Sequence, residues 1–600
     1  MCLGTVALAL ALVSTPVVAP QRGATAHADD PVTLRVALTQ DIDSFNPFLA
    51  SLQSSTEIGR LMYEFLTTYD AKDQHPVPAL ATKWTFSPDR LTWTYTIRDD
   101  AKWSDGKPIT AQDIAFTYNL MMKDKDAQEA NGNFVRNFQS VTAPNGRTLV
   151  IRTKSPQASM LALDIPIVPE HVWSSVKNIA DYKNEPSPGK PVIGSGPFIL
   201  TEYKAGEYVK LKANKNYWRG APKVDELQFV NYDNTDGAVA ALRSGNLDLV
   251  NNLTPEQYKA LQGEQDVKLN KAKGRRYTSL LLNPGAATSR NQPIGDGNPA
   301  LRDVRVRRAI ADVIDIKKIV SQVYDGFAQS GGATIPPVFT DYHWNPSSSQ
   351  QRKVDKNAAN QLLDQAGYRR GADGMRRGRG GKLLELRLIA RNNHPLDQAM
   401  AKYIVDWLGG IGIKVDSSTI DSGRLNDATN AGNYDLSFSG YGVNPDPDYI
   451  LSIQTCHSRP NANGGGATTA NFFCDKQYDE LYAKQLRTFD KPARAKLVKQ
   501  MQQRIYDQVP EFTLVYQNVL EAYRSDRFAS FQTQPDPGGV IMGQNGYWGY
   551  YSADPTAKAR SGSSINTGLV VGIVIAAIVV IGVVILVFSR RRARTAEHRE

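Results

Sequence analysis

The most informative stretch of the chain is residues 80–119, where the spacing of apolar side chains changes from a strand pattern to a helix pattern. Over residues 91–97, large apolar side chains alternate with threonines, and this period of two predicts a strand with one buried face. Residues 104–106 (Ser-Asp-Gly) have the composition of a tight turn. Thr110 is followed three residues later by Asp113, an acidic variant of the capping-box spacing, and apolar residues then recur at helical intervals. The stretch therefore predicts a strand, a turn and a capped helix.

Strand and helix patterns also alternate along the rest of the chain. Strand-like segments occur at residues 34–38, 208–211, 227–232 and 384–389, and helical ones at 56–66, 303–324, 356–366, 395–409 and 491–508. This alternation predicts a mixed α/β protein. The chain has 600 residues. Because single cores stop growing beyond about 250 to 300 residues, we expect two or more lobes.

The N-terminal segment has the features of a secretory signal. Residues 3–19 form an apolar run, and Ala26-His27-Ala28 supplies the small-x-small pattern of a cleavage site. We therefore predict a signal peptide over residues 1–28 and an exported protein.

The C-terminal segment predicts a membrane anchor. Residues 568–588 carry no charge, and as a helix they are long enough to cross a hydrocarbon core of about 30 Å. The basic cluster Arg590-Arg591-Arg592 follows directly, and by the positive-inside rule it stays in the cytoplasm. We expect a single-pass cell-membrane protein with its body on the extracytoplasmic side, a flexible linker at 556–567, a transmembrane helix at 568–588 and a cytoplasmic tail at 589–600.

Composition and charge exclude several classes. A hydrophobic fraction of 41% with 22% charged residues is that of an ordinary globular protein. The net charge of +10 raises the question of nucleic-acid binding. The basic run over residues 369–382 lies among glycines and has no interleaved aromatic residues on which bases could stack, so we interpret it as a solvated hairpin. We predict no nucleic-acid partner.

Two cysteines remain once the signal peptide is removed. Cys456 and Cys474 flank a loop that contains three consecutive glycines. In an oxidising compartment the simplest prediction is a disulfide bond between them. His457 lies next to Cys456, but two thiols and one histidine lack the fourth ligand of a structural zinc site.

Motifs for catalysis and cofactor binding were not found. The seven histidines are scattered and form no HExxH pair. Gly194-Ser195-Gly196 leads into Pro197 and an extended run, not into the helix of a nucleophile elbow. The glycines before Lys382 fail the GxxxxGK spacing, because Arg376 stands where its first glycine belongs. We predict no catalytic residue, no enzymatic activity, no cofactor and no metal.

Several segments match a known set of signatures in their order along the chain. They are WSDGKPITAQDI (103–114), IPIVPEHVW (165–173), GSGPF (194–198), NKNYWRG (214–220), AALRSGNLD (240–248) and DVRVRRAI (303–310). Together they resemble the peptide- and nickel-binding family of extracellular solute-binding proteins, family 5, which includes the oligopeptide- and dipeptide-binding proteins of ABC importers. The resemblance covers residues 32 to 530.

The resemblance implies a periplasmic-binding-protein type II fold, α/β, with two lobes and an extra domain. The family's topology gives lobe I at residues 31–58, 190–285 and 520–555, domain II at 59–189 and lobe III at 286–519, which together form a solute-binding domain over 29–555. The ligand lies between lobes I and III, which close around it by a hinge motion.

The resemblance also implies two ligand-binding loops. The first contributes Ser51, Gln53 and Ser54 as hydrogen-bonding candidates, with an ordinary polar turn before a helix as the alternative. The second follows the strand pattern at residues 434–438 and contributes Tyr441, Gly442, Val443, Asn444 and Asp446.

One position of the second loop departs from the family. In the peptide-binding relatives an aspartate of this loop pairs with the α-ammonium of the peptide, and here Val443 or Asn444 stands at that place. Asp446 is a candidate substitute, or else it caps the helical turn that follows. The sequence alone leaves these alternatives open.

These observations predict the membrane-anchored, extracellular substrate-binding component of an ABC importer. It captures oligopeptides or dipeptides and delivers them to a permease, so its partners are the solute, the permease subunits and the membrane. A sugar, an opine-like compound or a metal chelate stays open as the ligand. A ligand sensor or adhesion protein without coupling to transport is the alternative from another class.

Overall fold

The computed structural model of the protein describes residues 31–461, 469, 471–543 and 546–561. The predicted signal peptide (1–28), the linker beyond residue 561, the predicted transmembrane helix (568–588) and the predicted tail (589–600) lie outside these residues. Within the described part, no helix has both the length and the apolar composition needed to cross a membrane. Val32–Thr556 form one unit by their internal contacts.

Strands and helices alternate along the described chain. In chain order the strands are β1 (Thr33–Leu38), β2 (Thr67–Tyr69), β3 (Pro76–Pro78), β4 (Ala81–Phe86), β5 (Thr92–Ile97), β6 (Phe138–Asn145), β7 (Thr148–Thr153), β8 (Phe198–Lys204), β9 (Tyr208–Ala213), β10 (Glu226–Asn231), β11 (Leu249–Val250), β12 (Val267–Leu282), β13 (Ala328–Ser330), β14 (Arg369–Arg370), β15 (Arg376–Arg377), β16 (Glu385–Arg391), β17 (Lys414–Ile420), β18 (Leu436–Ser439), β19 (Glu511–Arg524), β20 (Phe528–Ser530) and β21 (Asp554–Pro555). The α-helices are α1 (Gln53–Met62), α2 (Ala111–Lys123), α3 (Glu170–Trp173), α4 (Thr235–Arg243), α5 (Pro255–Ala260), α6 (Val304–Ala311), α7 (Ile316–Gln322), α8 (Lys356–Gln365), α9 (Pro395–Gly410), α10 (Ser422–Asn430), α11 (Asp448–Ser452), α12 (Lys476–Leu486), α13 (Lys491–Gln508), α14 (Trp548–Tyr551) and α15 (Ala557–Arg560). Short 3₁₀ turns occur at Gly132–Phe134, Pro299–Arg302, Arg379–Gly381 and Cys456–Ser458.

The local patterns predicted most elements correctly. β5 buries alternate residues, and α2 begins after Thr110 with a capping box in which the Thr110 amide donates to Asp113 Oδ2 at 2.8 Å. The helix predicted over residues 303–324 is instead two helices, α6 and α7. The physical reason is Asp315, whose side chain accepts a hydrogen bond from the Lys318 amide at 2.9 Å and caps a new helix start.

The main sheet mixes parallel and antiparallel pairs. Its strand order is β17-β16-β18-β12-β19-β11-β1-β10-β9-β8, with β13 paired to β19. β1 runs parallel to β10 and β16 runs parallel to β17, whereas β12 and β19 are antiparallel. We call β1 and β8–β11 the first end of the sheet and β16–β18 the second end. This topology confirms the predicted mixed α/β class.

The two longest strands, β12 and β19, run through both ends of the sheet. Residues 267–273 of β12 pair with 518–524 of β19, and residues 277–281 pair with 511–516. The register shifts between these stretches, at residues 274–276, which we call the β12 break. Gly274 is required there, because a Cβ at this position would lie 2.0 Å from the Gln517 carbonyl oxygen. The two ends therefore have separate hydrogen-bond registers and share two continuous strands.

Each end of the sheet has its own hydrophobic core. At the second end, Leu280, Ile310, Leu386 and Ile404 belong to a buried cluster formed by strands and by α6, α8 and α9. At the first end, a second cluster contains β1, α4 and β19 side chains, among them Leu242. Each end of the sheet is therefore stabilised by buried side chains of its own.

Three smaller features complete the fold. β4–β7 form a four-stranded antiparallel sheet against which α2 packs, within the range predicted for domain II. β14 and β15 form the predicted arginine-rich hairpin, although Arg376 is buried and pairs with Asp364 at 2.6 Å. Cys456 and Cys474 are joined by the predicted disulfide bond. The lobe and domain boundaries stay a prediction.

Candidate ligand-binding cleft

A cavity of about 450 Å³ is lined by residues from both ends of the main sheet. Its wall includes the C-terminal ends of β1, β16 and β18, the β12 break, the middle of β19 and α1. Its charged residues include Arg60, Arg276, Arg391, Glu57, Asp164 and Asp397. This volume lies within the range of about 300 to 1,000 Å³ that is typical of sites for small ligands.

The first predicted loop lies against this cavity. Ser51, Gln53 and Ser54 all line it. The Ser51 amide and hydroxyl donate to Asp43 Oδ2 at 2.8 and 2.7 Å, and the Ser54 hydroxyl donates to the Asp41 carbonyl at 2.6 Å. Both serine hydroxyls therefore hold the loop ahead of α1 in place, and their contact with a ligand stays a prediction.

Gln53 connects two charged side chains that the sequence pattern did not single out. Its Nε2 donates to Glu57 Oε1 at 2.8 Å, and its Oε1 accepts from Arg276 Nη1 at 3.4 Å. Arg276 Nη2 also donates to the Gly440 carbonyl at 2.5 Å. The four-residue spacing of Gln53 and Glu57 on α1 is a signal that could have found them as one helix face. Arg276 has no such signal, because only the fold brings the β12 break next to α1.

Glu57 and Arg276 are ionisable groups of the cavity wall that form no ion pair among the described residues. Burial raises the pKa of Glu57 to about 7, against the opposing effects of the hydrogen bond from Gln53 and of nearby Arg276. Burial and, to a smaller extent, the like charge of Arg391 lower the pKa of Arg276 to about 10. Among the described residues, neither side chain has an ion-pair partner within 4.0 Å. Because an unpaired buried charge is costly, an opposite charge in the cavity would favour the charged form of each group.

Arg60, another arginine of the cavity wall, is paired within the protein. It forms an ion pair with Asp164, which also accepts a hydrogen bond from Asn444 Nδ2 at 3.0 Å. Its guanidinium lies 4.7 Å from the centre of the Phe65 ring. This cluster links α1 to the second predicted loop.

Arg391, the third arginine that lines the cavity, is paired with Asp397. Its Nη1 donates to Asp397 Oδ2 at 2.7 Å, and His394 Nδ1 lies 2.9 Å from the other carboxylate oxygen. Burial opposes the ionisation of Asp397, but the charges of His394 and Arg391 lower its pKa to about 2. Asp397 is therefore ionised at neutral pH, and its charge is balanced by neighbouring side chains.

The second predicted loop is divided between the cavity and the core. Tyr441, Gly442 and Asn444 line the cavity. Val443 does not, because its side chain is 1% exposed within a hydrophobic cluster and its amide donates to the Arg275 carbonyl at 2.9 Å. Ligand contact by the other three residues stays a prediction.

Asp446 also lies outside the cavity lining. Its carboxylate accepts two hydrogen bonds from Arg494, at 2.6 and 2.9 Å, and one from the Asp448 amide at 3.0 Å. The last bond gives the first backbone amide of α11 an acceptor, which agrees with the alternative interpretation of this residue, although the N-cap position itself is Pro447. These partners give Asp446 a role within the protein, and its contact with a ligand stays a prediction.

Possible metal-binding and nucleophilic groups were also located. Among the described residues, the carboxylates and imidazole that are close enough to hold a metal ion belong to Asp70, Asp73 and His75, which are partly or fully exposed and do not line the cavity. Ser195 is buried, and its hydroxyl accepts a hydrogen bond from the Glu64 amide at 2.9 Å, which is a structural role.

The fold and the cleft define the class of the protein. It is a binding protein in which two ends of one sheet, joined by two continuous strands, meet around a polar cavity. Residues 75–463 match the family described as "Bacterial extracellular solute-binding proteins, family 5 Middle". The chain therefore belongs to this family of extracellular proteins, the solute-binding components of ABC transporters, and it is not an enzyme. The resemblance drawn from the sequence is confirmed.

Known relatives cover most of the chain. The oligopeptide-binding protein AppA of Bacillus subtilis (strain 168) is 26% identical over 482 residues, or 79% of this chain and 84% of that protein. The structure of AppA in complex with a nonapeptide has a TM-score of 0.76 at 23% identity and covers 87% of this chain and 99% of that one. NikZ from Campylobacter jejuni in complex with Ni(L-His) has a TM-score of 0.75 at 23% identity, covering 88% and 100%. These likenesses confirm a periplasmic-binding-protein-like fold.

Proposed function

We propose that the protein is the membrane-anchored solute receptor of an ABC importer and that its solute is a short peptide with a free N terminus. The observation that carries the peptide assignment is Glu57, a buried carboxylate on the cavity wall that forms no ion pair within 4.0 Å among the described residues. The α-ammonium of a peptide carries the opposite charge and can donate hydrogen bonds to this carboxylate. The name of the relative AppA, an oligopeptide-binding protein, supports the same assignment.

Glu57 is the best replacement for the aspartate that the family carries in its second loop. Asn444 is neutral, and Asp446 is engaged by Arg494. Asp164 and Asp397 are paired with arginines. Glu129 also lines the cavity, but it is exposed to solvent, where an ion pair contributes little.

The two ends of the sheet act as lobes I and III. In this proposal the chain crosses between them at the β12 break and again near Gln517, and the lobes close on the solute by bending there. Residues 59–189 form domain II, whose Asp164 reaches the cavity. Closure is favoured because the solute binds the closed form more tightly.

The predicted helix at residues 568–588 anchors the receptor, and the linker leaves the binding domain free to reach the permease. Tethering raises the effective concentration of the receptor at the permease, which favours delivery over diffusion of the loaded protein.

A metal chelate is the second ligand class in this fold, because the NikZ structure holds Ni(L-His). The cavity contains His394, but its Nδ1 lies 2.9 Å from a carboxylate oxygen of Asp397. This nitrogen is already used within the protein, which counts against it as a ligand of a metal chelate.

The test is calorimetric titration of the full-length protein in detergent with tripeptides that carry free or acetylated N termini. We expect the free peptide to bind at least about tenfold more tightly, a difference of about 1.4 kcal/mol. Glu57→Gln should abolish this preference, and the matched control Glu129→Gln should keep it. Equal binding of both peptides to the unmodified protein would contradict recognition of a free N terminus. Loss of the preference in Glu129→Gln but not in Glu57→Gln would contradict the role of Glu57.

A further inference from the structure

We propose that Arg276 is a specificity-determining residue that binds a carboxylate of the solute, so that the cleft selects peptides with an anionic group close to the N terminus. This inference rests on the proposed function, because it names the second charge of the same solute.

The hydrogen bonds of Arg276 show that it can accept such a partner. A guanidinium has five N–H donors. Among the described residues, Arg276 uses one of them toward Gly440 and one, at the long distance of 3.4 Å, toward Gln53. The other donors are open to the two oxygens of a carboxylate, the partner that fits the guanidinium fork.

Arg276 also differs from the other arginines of the cavity. Arg60 and Arg391 each form an ion pair with an aspartate of the cavity wall. Arg276 forms none within the described part of the chain, although it is half-buried in the same cavity. Because an unpaired cation in such a place is unfavourable, an anion on the ligand is what the site lacks.

The position of Arg276 connects this contact with closure. It lies in the β12 break, where its side chain reaches Gln53 on α1 and Gly440 at the end of β18. Its backbone also forms an isolated bridge with Gly442. A carboxylate held by Arg276 therefore lies beside α1, which contacts β8 of the first end, and beside Gly440, which follows β18 of the second end. It stabilises the form in which these elements are together.

Glu57 and Arg276 are joined through the single side chain of Gln53, so the ammonium and carboxylate subsites are neighbours. The carboxylate has two sources in a peptide. It is the C-terminal group of a dipeptide or tripeptide, or it is an acidic side chain near the N terminus.

The test uses the full-length protein in nanodiscs and two matched ligand pairs. Ala-Ala against Ala-Ala amide reports the C-terminal source, and Ala-Asp amide against Ala-Asn amide reports the side-chain source. We expect one pair to show a preference of at least about tenfold for its carboxylate member. Arg276→Gln, which keeps an amide able to donate to Gly440, should lose this preference. Arg276→Lys should restore part of it, because the charge returns without the planar fork.

If Arg276→Gln weakens the binding of the acid and of the amide equally, the residue has only a structural role and the inference is overturned. A preference for the acid that Arg276→Gln leaves unchanged also overturns it. Succinate against chloride at equal ionic strength, read by thermal unfolding, separates this inference from the peptide assignment. If no peptide binds but succinate stabilises the protein and not Arg276→Gln, the peptide assignment fails and the carboxylate site stands. If neither peptides nor succinate has an effect, both fail.

Discussion

The guanidinium of Arg494 donates two hydrogen bonds to the carboxylate of Asp446, at 2.6 and 2.9 Å. The side chains are 6% and 15% exposed, and Arg494 Nε donates to Gln485 at 2.8 Å. Burial lowers the pKa of Arg494, but the charge of Asp446 outweighs it and raises this pKa well above its usual value. The pair fixes α13 to the loop before α11, which gives Asp446 a structural role.

Asp446→Asn should therefore impair stability and spare the peptide specificity of the folded protein. The substitution leaves Arg494 buried without its anion, which costs about 3 to 5 kcal/mol. Urea unfolding measures the loss, and calorimetry on the folded fraction measures the preference for a free N terminus. A variant of normal stability that has lost this preference would show that Asp446 binds the ammonium.

Peptide binding should release protons near neutral pH. Burial raises the pKa of Glu57 to about 7, and Gln53, Arg276, Arg275 and Glu521 are the groups that influence it. A peptide ammonium binds the ionised carboxylate, so affinity should rise as the pH increases from about 5.5 to about 7, before most of the peptide's α-amino groups, whose pKa is about 7.7 to 8.0, lose their charge. Titrations in phosphate and in Tris, which differ in ionisation enthalpy, measure the protons released.

Glu57→Gln is the control for this pH dependence. Its affinity should be lower and nearly independent of pH over the same interval. An identical pH profile in the variant and in the unmodified protein would contradict the assignment of the titrating group to Glu57.

Glu511 should contribute to a loss of stability as the pH rises. It is 3% exposed, accepts hydrogen bonds from Ser279 at 3.0 Å and Gln454 at 2.7 Å, and burial raises its pKa from 4.5 to about 7. The folded state thus binds more protons than the unfolded state between these values. Its stabilising contribution is complete below pH 4.5, falls as the pH rises to about 7, and is constant above.

Glu511→Gln should flatten this part of the pH profile. Glu57 and Glu521 have raised pKa values too, so some slope should remain. The midpoint of urea unfolding, measured at several pH values from about 5 to about 8, gives the pH dependence of stability. A slope that the variant leaves unchanged would show that Glu511 does not titrate in this window.

Particular residues show how far the sequence determines this structure. Thr110 and Asp113 form their capping box through local spacing alone, so the pattern predicted it. The solute-binding family was equally accessible from the sequence, because its signatures are contiguous. The pairing of Asp446 with Arg494 was not, since 48 residues separate the partners and no periodicity relates them.

In the cleft, too, some features follow from local sequence and others only from the fold. Tyr441, Gly442 and Asn444 line the cavity, and their binding of a ligand stays a prediction, whereas the burial of Val443 depends on backbone pairing beside Arg275. Arg276 was missed because its role arises where β12 changes register, which no local pattern in the sequence marks.

Asn444 should control the rate at which the solute leaves. Its amide donates to Asp164 at 3.0 Å, which connects the second loop to the cluster of Asp164 and Arg60 on the other side of the cavity. Asn444→Ala removes a hydrogen bond to a charged group, worth about 1.5 to 3 kcal/mol, and should raise the dissociation rate by about tenfold or more. Stopped-flow competition with a labelled peptide measures this rate. Asn246→Ala, which removes an exposed amide bonded to Ser244 at 3.1 Å, is the matched control and should leave the rate unchanged. If Asn444→Ala slows association and leaves dissociation as it was, the bond does not hold the closed form, and the residue acts in the encounter with the solute instead.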